Sequence, residues 1–136
     1  MYEQFEHTAD LGLRIRADSL EELYAEAGRA LTAAMVGRPD SVRPAQSRVL
    51  QIEAAARDDL LHDWLAELLY VFESERMLFS RFEVELAAGG LKATAWGEAA
   101  DPQRHEIELD IKAVTYHGLK VEQDSGGWLA EVIVDL

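Results

Sequence analysis

The residues best suited to chemistry stand at the two ends of the chain. Near the start, Phe5-Glu6-His7-Thr8-Ala9-Asp10 runs into Leu11-Gly12 and gathers a glutamate, a histidine and an aspartate. At the end, Val134-Asp135-Leu136 sets an aspartate beside the terminal carboxylate. An aspartate and a terminal carboxylate, met by a second aspartate from a neighbouring strand, make an all-oxygen ligand set. Such a set suits Ca²⁺, Mg²⁺ or Mn²⁺, and not zinc or copper. Spacing does not bring Asp10 to Asp135. The plainer reading of each is a solvated carboxylate at a strand end.

The four histidines, His7, His62, His105 and His117, show no HxH or HxxxH spacing and do not point to zinc. His7 shares the parity of Phe5, Ala9 and Leu11, which predicts a hydrogen-bonded core histidine rather than a ligand. His117, at a suspected bend, is read the same way. His62, on the polar side of a helix, and His105, in a loop, read as surface residues. The absence of cysteine excludes disulfides, thiolate metal sites and a cysteine nucleophile together. Ala87-Ala88-Gly89-Gly90 is a hairpin turn, not a phosphate loop, because no Lys-Ser or Lys-Thr follows it. Neither Ser19 nor Ser80 lies in a GxSxG elbow. Lys112 is the only base beside Glu106, Glu108 and Asp110, which a cross-strand ion pair explains. A stand-alone metal-dependent phosphoester hydrolase, with Asp10 and Asp135 on the metal and His7 or His117 as base, would need a basic grip on its substrate. None is visible.

Charge narrows the partners. Thirteen Lys and Arg against 26 Asp and Glu leave −13, with no basic patch. Proteins that hold phosphates do so with clustered basic side chains, so little or no direct nucleic-acid binding is expected. Acidity suits solubility, hard cations and a basic protein partner. No apolar run approaches the ~18 to 20 residues of a membrane span, and the first residues do not read as a secretion signal. The expected compartment is the cytoplasm. The 136 residues suffice for one domain, 1–136, with a sizeable core. A weak homo-oligomer stays open.

Two helices and a set of strands must position these residues. Ser19 with Glu22 forms a capping box, and Leu20, Leu23, Tyr24, Ala27, Leu31, Ala34 and Met35 then recur on one helical face until Gly37 and Pro39. A second helix is predicted from Asp58 as cap, with Leu60, Leu61, Trp64, Leu65, Leu68, Leu69 and Phe72 as its stripe. Phe5 to Ile15 alternates as a strand, as do residues 49–54, 81–86, 91–95, 106–111 and 128–134. The stretch from Glu106 to Gln123 is too long for one strand and predicts a break near Tyr116-His117-Gly118. The fold class is α+β: two layers, a largely antiparallel sheet with two amphipathic helices on one face.

Phe5-Glu6-His7-Thr8-Ala9-Asp10 resembles the opening of the archease family. Leu60-Leu61 through Trp64-Leu65-Ala66-Glu67-Leu68-Leu69-Tyr70 is similar to that family's second helix, and Gly97-Glu98 to its glycine-acid element. Lys112-Ala113-Val114-Thr115-Tyr116-His117 resembles its most distinctive motif, and the chain closes on the family's Asp-hydrophobic pair, Asp135-Leu136. The matches span almost the whole chain in order. The resemblance implies an accessory protein, not an enzyme. It would activate an RtcB-type RNA ligase in tRNA splicing and RNA repair by promoting guanylylation of the ligase and multiple turnover. It also implies a metal site at Asp10, Asp135 and the main-chain oxygen of Leu136, with Ca²⁺ favoured over Mg²⁺ or Mn²⁺. A chaperone-like action on an RNA-modifying methyltransferase is the family's lesser implication.

Overall fold

Ser19 Oγ accepts from the backbone N–H of Glu22 at 3.1 Å, and Gly37 closes the helix at φ 74°, so helix α1 (Leu20–Val36) starts and stops where its signals stand. A computed structural model of the chain describes residues 1–7 and 9–136, the side chains of Glu6 and His7 excepted. Helix α2 (Arg57–Glu75) begins two residues earlier than a cap at Asp58 predicts. Its N-cap, Ala56, makes no side-chain cap bond, and Asp58 Oδ1 accepts instead from the N–H of Val121 at 2.9 Å. The expected cap therefore pins a distant strand to the helix.

The strands are β1 (Tyr2–His7), β2 (Asp10–Ala17), β3 (Gln46–Glu53), β4 (Met77–Ala87), β5 (Gly90–Ala99), β6 (Ala113–Val114), β7 (Lys120–Asp124) and β8 (Gly127–Asp135). All pair antiparallel, in two sheets: β1-β2-β8-β6 with β7 also on β8, and β3-β5-β4. The α+β class with antiparallel sheets and two helices holds, with the strands divided between two sheets.

Two strand expectations are corrected. The run from Phe5 to Ile15 is a hairpin, with His7 opposite Asp10 and Ala9 at φ 59°. The reversal puts Phe5 over Gly12, on the face away from Leu11, Leu13 and Ile15. Residues 106–110 form no strand. The N–H of Glu108 donates to Met35 O at 2.7 Å, so this segment bonds the end of α1 and not a neighbouring strand. The break at Tyr116-His117-Gly118 is a turn separating β6 from β7.

The core is one cluster between helices and sheets, anchored by Trp64, Tyr24, Leu13, Ile15 and Val132, all fully buried. Each such side chain contributes roughly 1.5–3 kcal/mol by leaving water. Polar atoms in it are matched: Trp64 Nε1 donates to Tyr24 O at 2.8 Å, and the Tyr24 hydroxyl donates to Arg57 O at 3.0 Å, tying α1 to α2. Among the described residues, no helix is long and apolar enough to cross a membrane.

Candidate metal centre

Alternation on β2 sends Leu11, Leu13 and Ile15 into the core and leaves Asp10, Gly12 and Arg14 on the other face. The register between β2 and β8 then sets Asp10 directly opposite Asp135, Gly12 opposite Ile133 and Arg14 opposite Glu131. Each row has a different chemistry. Arg14 bonds Glu3 at 3.0 Å and Glu131 at 3.3 Å, and Lys120 reaches Glu131 at 3.5 Å, a ladder of alternating charge across β1, β2, β8 and β7. In the middle row the Phe5 ring lies flat over Gly12, where any Cβ would collide with it, and the Arg14 guanidinium sits 4.8 Å from the ring centre. At the sheet end, the two aspartates meet.

Their meeting shows at Asp135. The hydrogen bond with Asp10 is the main reason the Asp135 carboxyl is pushed above the usual aspartate range. Desolvation and the Asp10 charge add to this, and Lys112 partly opposes them. Two carboxylates at hydrogen-bond range call for a proton or a cation between them. Lys112 is brought here because its N–H donates to Asp135 O at 2.9 Å and Ala113 pairs with Asp135. The ion pair expected among Glu106, Glu108 and Asp110 is replaced by this neighbourhood. Leu136 follows at the rim, partly exposed. The two carboxylates are oxygen donors of the kind that a hard cation takes. Among the described residues, no group of three or more His, Asp or Glu side chains is placed to hold a metal. A surface depression of about 860 Å³ lies at the other end of β2, where Arg16 pairs with Asp124 and Arg29 with Glu26.

The histidines depart from expectation. His117 is exposed, its N–H donating to Thr115 Oγ1 at 3.2 Å, and is no core residue. His62, read as a surface residue, is mostly buried between Asp63 and Val114 O. His105, also read as surface, is 2% exposed. Its Nδ1 accepts from the N–H of Asp101 at 2.9 Å, so its proton is on Nε2, facing Glu98 Oε2 at 3.0 Å and Ser41 O at 3.1 Å. Arg104 and the N–H of Arg43 also bond Glu98. Burial pushes the Glu98 carboxyl up, but these donors outweigh it and hold it below the usual range. This clasp ties the loop after β5 to the Pro39–Ser41 turn. The only signal for it in the sequence was the Gly97-Glu98 pair. The expectation for His7 concerns a side chain outside the described residues.

Residues 2–136 match the model of the Archease protein family (MTH1598/TM1083). The chain belongs to the archease family. It is 42% identical to Protein archease of Methanopyrus kandleri over 139 residues, covering 99% of each chain. Protein archease of Pyrococcus abyssi is 36% identical over 140 residues, with 99% of this chain and 98% of that one covered. Among solved archease-fold structures, the solution structure of Methanobacterium thermoautotrophicum protein 1598 superposes with a TM-score of 0.87 at 35% identity, over 99% and 98% of the two chains. The crystal structure of a Thermotoga maritima archease, described as a possible chaperone, gives 0.66 at 25% identity, over 100% and 98%.

Proposed function

We propose that this archease is a non-enzymatic accessory protein of the cytoplasm. It holds a hard divalent cation, Ca²⁺ before Mg²⁺ or Mn²⁺, at Asp10, Asp135 and the main-chain oxygen of Leu136. With that cation it activates an RtcB-type RNA ligase, promoting guanylylation of the ligase histidine and repeated turnover. The observation that carries the reading is the register that sets Asp10 against Asp135, in a chain of this family. The cation would supply concentrated positive charge at the edge of an acidic protein, beside a partner's nucleotide site. The chain's own residues do the positioning: the β2–β8 register holds the pair, and Lys112 partly offsets the charge at Asp135.

The test is ligase turnover with the ligase limiting, RNA ends in excess, and GTP and divalent metal supplied. Many rounds with this protein and about one without are expected; equal turnover with a ligase of the same organism would overturn the reading. Asp10→Ala should abolish the stimulation, and its full retention would remove the metal from the mechanism. The chaperone description of the Thermotoga relative favours one second reading, a folding or solubility aid to an RNA-modifying methyltransferase. That action would raise methyltransferase yield and leave ligase turnover unchanged.

A further inference from the structure

The outer side of α2 has no part in the carboxylate pair. Between Arg57 and Arg76 this helix carries six acids, Asp58, Asp59, Asp63, Glu67, Glu73 and Glu75, and no Lys or Arg. Opposite its buried stripe, Tyr70 is 62% exposed. Residues three and four apart are neighbours on a helix surface, which for Tyr70 are Ala66, Glu67, Glu73 and Ser74. Two turns back, roughly 12 Å along the axis, a second ring is mounted. Tyr116, from the turn after β6, stacks on His62 with centroids 3.9 Å apart and planes 13° from parallel. His62 is itself fixed, with Nδ1 2.9 Å from Asp63 Oδ1 and Nε2 3.0 Å from Val114 O. Tyr116 nonetheless stays 61% exposed, with one face on His62 and the other open.

Two open tyrosine rings on one side of a helix, a small residue between them and carboxylates around, have the composition of a binding hot spot: aromatic anchors within a polar rim. The sign of the rim selects the partner. A guanidinium can stack on tyrosine and pair with a carboxylate at once, whereas a phosphate backbone is repelled. The geometry points to a docking surface for an arginine-rich face of a partner protein, with Tyr70 and Tyr116 as anchors and Asp59, Asp63 and Glu67 as rim. This inference rests on the activator reading for the partner's identity, a ligase basic enough to bind RNA, and on the surface itself for the partner's chemistry.

Binding of the RtcB-type ligase to the full chain is measured by calorimetry for the wild type, Tyr70→Ala with Tyr116→Ala, and Asp63→Lys with Glu67→Lys. Glu83→Lys with Glu85→Lys, on β4, serves as a charge control, and circular dichroism confirms that each is folded. The α2 variants should weaken binding at least about tenfold, and the control should leave it within about twofold. An unchanged Kd for the α2 variants, with the wild type binding, overturns the surface and leaves the activator reading standing. If the wild type does not bind, the activator reading falls and a second probe decides the surface. In NMR of the full chain with a peptide of alternating arginine and glycine, shifts confined to α2 and Tyr116 and lost in the double tyrosine variant sustain it. Shifts spread evenly to Glu83 and Glu85 overturn it.

Discussion

Asp135 binds its proton more tightly in the folded chain than in the unfolded one, because Asp10 shares a hydrogen bond with it. Folding stability from this source is present below the ordinary aspartate value of 3.8 and is lost as pH rises through the higher folded value. Asp135→Asn should therefore melt higher than the wild type at about pH 7 in chelator, with the gap closing below that ordinary value. Millimolar Ca²⁺ should raise the melting temperature of the wild type and not that of the variant; equal shifts in both would place the cation elsewhere. Glu98 has the opposite sign. Its folded value is depressed, so its contribution is present above the ordinary glutamate value of 4.5 and fades as pH falls through the folded one. Glu98→Ala leaves the buried His105 Nε2 with fewer acceptors, and a loss of about 2–3 kcal/mol in urea unfolding near neutrality is expected, shrinking in acid.

At the scale of elements, Ser19→Ala removes the cap of α1 and should cost about 1 kcal/mol in the same assay. Gly97→Ala should be far worse. Gly97 pairs with Phe79, where the β4–β5 register shifts between Phe79 and Arg81, and a Cβ would run into the Leu78 carbonyl oxygen. Soluble yield of that variant is the first readout. Both helices were legible because their apolar stripes are local, and α1 adds a capping serine and a stopping glycine. The first hairpin was not. Its turn carries no Asn-Gly or Asp-Gly, and an even run of alternation across it imitates one longer strand. Residues 106–110 alternate like a strand too, but their backbone is drawn to the end of α1, a contact no local pattern announces. Spacing alone showed the acid pair only as two strand-end aspartates, and the family resemblance was what joined them. The register that joins them depends on strands from opposite ends of the chain. The clasp around Glu98 was illegible because His105 sits in a loop whose burial is decided by the Pro39–Ser41 turn, far away in sequence.

At the scale of the whole molecule, a net charge of −13 repels itself. Raising NaCl from about 50 to about 300 mM shortens the screening length and should raise the chelated protein's melting temperature while weakening ligase association. Stronger association at high salt would argue for an apolar dock instead. The same charge disfavours contact with phosphate backbones, so the counterpart proposed for the rings on α2 is a basic protein. The register of β2 with β8 has one more consequence. Asp10 and Asp135 lie far apart along the chain, and each faces the other only when β8 has closed onto β2. An unfolded chain does not hold both carboxylates together. A cation held there would therefore report closure of this strand pair, a built-in gauge of whether the chain is folded.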